Sequence, residues 1–347
     1  MNVTVISYNM SVFSAMGYYG DMVKSSSGNP AKNDAPGFYP SEARFLRRAK
    51  IPLDFFNNSL NHLIENVKER MPAMIGIQEF HHPTLDIIMT AMNEVNTSYT
   101  AVPFRKNITN AAKVLTIFDS SILGDVEDEY HEDIGLTPGL NLPPGDKGRP
   151  ISILFTSKGY TLINFHGINR PRLAPEPVDV APILKEALQI HLSATPFADK
   201  INPAKIIITC DSNDRAHKIN IDDPLILNGM SFHDGHSEDD MVKSCCYNYD
   251  SCGIDEAPAN AKNPQTMGDR GAESRYAYAG DYVLANSFAT PVMSVDSPQD
   301  ADGASIASDH KLVYAVIKLP FTGGKRKNKQ KTQKSRKQRK SRRTYKK

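Results

Sequence analysis

What most narrows the folds open to this chain is a set of short apolar runs, each of strand length and each bounded by a residue whose side chain can do chemistry. VTVISYN (3–9) ends at Asn9, AMIGIQEF (73–80) carries Glu79, and TLINFH (161–166) ends at His166 with Asn169 just beyond. AKIIITCD (204–211) ends at Asp211 with Asn213 following, DYVLAN (281–286) begins at Asp281, and Asp309 directly precedes the final run, HKLVYAVIKL (310–319), which starts at His310. Segments this short and this rich in Val and Ile read as buried strands. A lone polar residue at a strand end is a cap or a turn. A set of them at successive strand ends has a second explanation, because ligands of α/β sheets bind where strands end and side chains remote in sequence converge there.

The runs alternate with helical periodicity. Leu53, Phe56, Leu60, Leu63, Ile64 and Val67 share one helical face that ends near Met71-Pro72, Pro83 opens a second helix carrying Leu85, Ile88, Met89, Met92 and Val95, and a third spans about 180–194. YTAVPF (99–104), KVLTIF (113–118), ISILFTS (151–157) and PVMSV (291–295) supply further strands. The sequence has no internal repeat and no boundary before Thr322, so residues 1–321 read as one α/β domain. Two stretches, about 17–45 and 229–279, exceed ordinary loop lengths and are candidate binding loops.

With 347 residues, 40% hydrophobic and 23% charged, the chain can bury one large core or two modest ones. No apolar run reaches the ~18–20 residues that cross a bilayer, and MNVTVISYNMS at the N-terminus lacks the features of a secretion signal. A soluble, intracellular, unsecreted protein is expected. Cys210, Cys245, Cys246 and Cys252 are too few and too uneven for a disulfide framework, so reduced thiols are expected. Joining the last three to His233 and His236 as a zinc site is disfavoured, since structural sites separate paired cysteines by about two to four residues.

The net charge of +2 conceals a division. Residues 325–347, KRKNKQKTQKSRKQRKSRRTYKK, hold 14 of the 41 basic residues and no acid, which leaves 27 basic against 39 acidic residues in 1–324. Such a composition cannot form a core, so 322–347 is expected to be a disordered basic tail hinged at TGG (322–324). It suits attachment to nucleic acid, a nuclear address or contact with an anionic membrane. The acidic body argues against gripping DNA by bulk charge.

In this order, SYN with Asn9, IQE with Gln78 and Glu79, GRP (148–150), NFHGIN with His166 and Asn169, CDSN with Asp211 and Asn213, DYVL with Asp281, and SDH with Asp309 and His310 resemble the motifs of the endonuclease/exonuclease/phosphatase family, the deoxyribonuclease I-like fold, over nearly the whole body. The resemblance implies a four-layer α/β/β/α sandwich, two packed mixed sheets flanked by helices, and metal-dependent hydrolysis of phosphoester bonds. It implies a metal at Glu79 and Asp309, Mg²⁺ with Mn²⁺ as the substitute, because such cations take one or two carboxylates and keep their waters. Asn9 then contacts a metal-held water or the phosphate, and Asp211 with Asn213 aligns the attacking water. His310, paired with Asp281, acts as base or as donor to the phosphoryl oxygen, while His166 and Asn169 add phosphate contacts. Whether Asp211 or His310 takes the proton stays open. Cys210 stands where the family usually has Gly, and FHHP after Glu79 departs from the lysine-containing continuation of apurinic endonucleases.

Three functions follow. The first is a nuclease or nucleic-acid repair phosphodiesterase. The second is a hydrolase of small or lipid phosphoesters, of inositol phosphate or sphingomyelinase-like type, and the third is a non-catalytic nucleic-acid binder on the same fold. The basic ending is also similar in composition to tails of large-DNA-virus proteins.

Overall fold

Strand residues that face alternately to either side organise the chain into two sheets with one apolar layer between them and one on each outer face. The computed structural model describes residues 1–10, 52–80, 82–106, 113–140, 149–168, 181–213, 219–237, 242–244, 279–298, 307–308 and 310–320. Along the chain run β1 (Asn2–Asn9), α1 (Pro52–Arg70), β2 (Met74–Phe80), α2 (Leu85–Val95), β3 (Tyr99–Pro103), β4 (Lys113–Asp119), the one-turn α3 (Ser120–Leu123), β5 (Val126–Asp133), β6 (Pro150–Thr156) and β7 (Thr161–His166). There follow α4 (Ala181–Ala194), β8 (Ile206–Asp211), β9 (Leu225–Leu227), β10 (Met230–Phe232), β11 (Asp281–Leu284), β12 (Phe288–Val295) and β13 (Leu312–Lys318). A six-stranded sheet has the order β12-β13-β1-β2-β4-β3, a five-stranded sheet the order β11-β8-β7-β6-β5, and β9 with β10 forms a separate ribbon.

Both large sheets are mixed: β1 lies parallel to β2 and β7 parallel to β8, while the other neighbours are antiparallel. Val5, Phe118, Leu154, Leu162, Ile207, Val283 and Val313 fill the layer between the sheets. Alternate residues face outward: Ile6, Ile75 and Ile77 pack on Phe56, Leu60 and Leu63 of α1, and Ile163, Ile206 and Ile208 pack on Leu184 and Leu188 of α4. The result is the expected α/β/β/α sandwich.

The inner layer turns polar toward one rim. Along β1 the inward residues are Val3, Val5, Ser7 and Asn9, along β7 Leu162, Asn164 and His166, and along β8 Ile207, Thr209 and Asp211. The buried Gln78 amide bridges the sheets, donating to Asn164 Oδ1 at 2.8 Å and Ser7 Oγ at 3.2 Å. Gly76 lets the sheets approach here, since a Cβ on it would sit 1.9 Å from Thr209 Oγ1.

Several sequence expectations needed correction. The acidic VEDEYHED (126–133) is not one of the apolar runs, yet it forms β5, an edge strand paired to β6 alone. Charge on an edge blunts intermolecular pairing, and Arg105–Glu129 (2.7 Å), Lys200–Asp128 (2.9 Å) and the Lys106–Glu132 pair offset part of it. The candidate loop 229–279 begins inside a hairpin turn: Asn228 and Gly229 have φ of 49° and 75°, the left-handed pair that joins β9 to β10. Pro83 lies in a short 3₁₀ turn, His82–Thr84, that precedes α2. The 17–45 insert, most of 238–279 and the tail 322–347 lie outside the described residues. Among the described residues, no helix is long and apolar enough to cross a membrane.

Candidate active site

Strand direction decides which residues meet at the polar rim. The parallel pairs β1/β2 and β7/β8 reach it at their C-terminal ends and deliver Asn9, Glu79, His166 and Asp211; the antiparallel β11 and β13 run the other way and deliver Asp281 and His310 at their starts. Register aligns them, with Asn9 opposite Gln78, His166 opposite Asp211, and Asp281 opposite Asp211.

His310 Nδ1 lies 2.8 Å from Asp281 Oδ2 and Nε2 lies 3.3 Å from Asn9 Nδ2. An amide nitrogen can only donate, so the neutral ring carries its proton on Nδ1 and gives it to Asp281. Asn9 Nδ2 also donates to Asp211 Oδ2 at 2.9 Å, and the backbone N–H of Asn213 donates to Asp211 Oδ1 at 3.0 Å. Asn213 holds a left-handed backbone (φ 53°), a conformation Asn tolerates, and its side chain donates to the Gly167 carbonyl at 3.3 Å. A Cβ at Gly167 would fall 2.0 Å from the Ser212 carbonyl oxygen, so glycine is required there.

Burial sets the electrostatics. Asp211 is pushed up to about 7, chiefly by desolvation; Asp281 raises it further, while His310, Asn9 and the Asn213 N–H oppose the rise. His166 is held well below the ordinary histidine value, first by burial and then by Arg149 and His310. Its Nε2 lies 3.0 Å from an Arg149 guanidinium nitrogen, 3.5 Å from Asp211 Oδ2 and 4.0 Å from Glu79 Oε1. Glu79 sits in the irregular part of the β2–β4 pairing with φ 52°, a backbone strain of ~1–3 kcal/mol that aims a half-buried carboxylate at this cluster. Among the described residues, three buried polar atoms here have no hydrogen-bond partner: His166 Nδ1, Arg149 Nε and Asp281 Oδ1.

Thus Asn9, Glu79, His166, Asp211, Asn213, Asp281 and His310 come together, while Asn169 and Asp309 lie outside the described residues. Asp211, Asp281 and His310 offer ligand atoms within 4.8 Å of one another. With His310 Nδ1 committed to Asp281 and Nε2 facing Asn9, this trio is a hydrogen-bonded relay more than a cage for an ion. The Glu79 carboxylate and the Asn9 amide oxygen are hard donors of the kind that suit a divalent cation.

Neither Arg149, within GRP, nor Ser308, within SDH, has a role in the sequence motifs; Ser308 donates to the Asn9 carbonyl (2.5 Å) and accepts from His310 N (3.1 Å). Ser244, whose hydroxyl donates to Asp281 Oδ2 at 2.8 Å, has no motif to announce it. The rival zinc grouping loses its histidines to local structure: His233 Nδ1 accepts from Gly235 N and His236 Nε2 donates to the Val292 carbonyl. Its cysteines, Cys245, Cys246 and Cys252, lie outside the described residues.

Two packed mixed sheets between helices, with this polar rim, define the deoxyribonuclease I-like fold. An endonuclease/exonuclease/phosphatase family protein from Bacteroides thetaiotaomicron is similar over 92% of this chain and 96% of its own, at TM-score 0.52 and 14% identity. An endonuclease/exonuclease/phosphatase from Bacteroides vulgatus aligns over 92% of this chain and 100% of its own, at TM-score 0.50 and 10% identity. No protein-family model and no curated protein matches the sequence.

Proposed function

We propose that this chain is a metal-dependent phosphoester hydrolase acting on nucleic acid, with residues 1–321 as its catalytic unit and 322–347 as a basic tail. The observation that carries the reading is the buried cluster in which His310 bonds Asp281, Asn9 bonds Asp211, and Asp211 is tuned to about 7. Phosphoester hydrolysis needs a proton acceptor near neutrality and fixed donors around the phosphoryl oxygens, and this set supplies both.

Glu79 and Asp309 would hold Mg²⁺ or Mn²⁺, which when bound neutralises charge on the phosphoryl group. Asp211, oriented by Asn9 and Asn213, takes the proton of the attacking water. Asn213 orients that water. With a second proton taken up from solvent at Nε2, in place of the contact it accepts from Asn9 when neutral, His310 donates to a phosphoryl oxygen as charge develops, and Asp281 stabilises that imidazolium. The part-buried Arg149 guanidinium and the neutral His166 contact the phosphate, and Asn169 is assigned a further phosphate contact. The 14 basic residues of 325–347 support nucleic acid as substrate, through salt-dependent phosphate contacts, and a nuclear or DNA-associated location.

The test is Mg²⁺-dependent cleavage of labelled single-stranded, duplex and abasic-site DNA by the full chain beside His310→Ala. Cleavage lost in the variant supports the reading. No cleavage by either, from folded protein, overturns the nucleic-acid assignment; turnover of inositol or lipid phosphoesters would then place the substrate there, as the excess of acid in the body would favour.

A further inference from the structure

The geometry points to Ser244 as a positioning residue for the His310–Asp281 pair, a role that rests on the hydrolase reading above. Ser244 is fully buried and belongs to neither large sheet. Its Oγ donates to Asp281 Oδ2 at 2.8 Å, the oxygen that also accepts from His310 Nδ1 at 2.8 Å. The same Oγ accepts from the backbone N–H of Asp281 (3.0 Å) and of Gly280 (3.2 Å). A hydroxyl has one proton and two lone pairs, so every capacity of Ser244 Oγ is committed and its proton has one direction left, toward Oδ2. The Ser244 carbonyl in turn accepts from Lys311 N at 2.8 Å, the residue after His310. One side chain and one carbonyl therefore hold both members of the pair from a segment far from either in sequence.

This matters because, among the described residues, Asp281 Oδ1 has no hydrogen-bond partner. The carboxylate's rotation is fixed at Oδ2 alone, by His310 and Ser244. With Ser244 removed, only the histidine among the described side chains restrains it, and a turn of the carboxylate would release the ring whose Nε2 must face the phosphate.

The experiment compares wild type with Ser244→Ala, Ser244→Cys and Ser244→Thr in the full chain, under Mg²⁺-dependent turnover of a labelled oligonucleotide, and reads the His310 Nδ1 proton by NMR. Ser244→Ala is expected to lower kcat about tenfold or more with KM nearly unchanged, because Asn9 and Arg149 are untouched. Ser244→Thr, which keeps the hydroxyl, should retain activity, and Ser244→Cys, which fills the space with a weak donor, should follow alanine. The ring proton should stay sharp in wild type and Thr and broaden by exchange in Ala and Cys. If Ala proves too unstable to assay, the volume-conserving Cys variant decides. Wild-type turnover in Cys, or a ring proton indifferent to the substitution, overturns the proposal. Absence of turnover in every protein with the ring-proton pattern intact would sink the hydrolase reading and leave the positioning role standing.

Discussion

Replacing Asp211 by Asn should stabilise the folded protein, and more so the higher the pH. Asp211 is buried and titrates at about 7 in the fold against 3.8 when exposed, so between those values the native state binds more protons than the unfolded chain. A raised folded value in an acid means that stability falls as pH rises through this window and levels off above it. At ~1.4 kcal/mol for each unit, ionising Asp211 in place costs about 4 kcal/mol near pH 8 and about 2 kcal/mol near pH 5. Asparagine avoids that cost but gives up the carboxylate acceptor for Asn9 Nδ2, worth roughly 1 kcal/mol. The net expectation is a gain of about 3 kcal/mol near pH 8 shrinking to about 1 kcal/mol near pH 5, with turnover abolished. Urea unfolding followed by circular dichroism, with a chelator present so that no bound cation contributes, measures it. A stability difference that does not grow with pH would refute the argument, because it would mean that Asp211 is not held protonated by burial.

The other predictions follow from named contacts. His310→Ala should reduce turnover by ~10³-fold or more while Asn9 and Asp211 keep their bond, measured in the cleavage assay. Arg149→Ala should raise KM for a phosphoester about tenfold and, by removing a cation 3.0 Å from His166, raise that histidine's pKa toward its ordinary value; an unmoved NMR titration would refute it. Gly76→Ala should cost ~3 kcal/mol or more, read from the urea midpoint, since its Cβ would collide with Thr209 between the sheets. Deleting 325–347 should weaken DNA binding and flatten its dependence on salt, and unchanged binding would remove the tail from recognition.

Much of the fold was legible because its strands are buried on both faces and spell themselves out as Val- and Ile-rich runs. Where a strand escapes that rule it escapes notice: β5 is an edge strand whose VEDEYHED carries charges for lack of a second neighbour. The Asn228-Gly229 turn was a readable hairpin signal between LIL and MSF, hidden by the polar, irregular sequence that follows. The candidate site was legible in its residue types, since each sits at the end of an apolar run. Arg149 and Ser244 were not, because an arginine before a strand and a serine in a loop are ordinary until the fold brings them to His166 and Asp281.

By itself the sequence determined the alternation of strands and helices, the separation of an acidic body from a basic end, and the polar residues that terminate the strands, all of which are local and follow from periodicity and composition. Only the tertiary structure decided that Asn9 and His310, 301 residues apart, stand 3.3 Å from each other, and that Asp211 is buried deeply enough to titrate near neutrality. Those outcomes depend on strand direction, on register across two sheets and on the exclusion of water from the rim, and none of these is a property of any one segment of the chain.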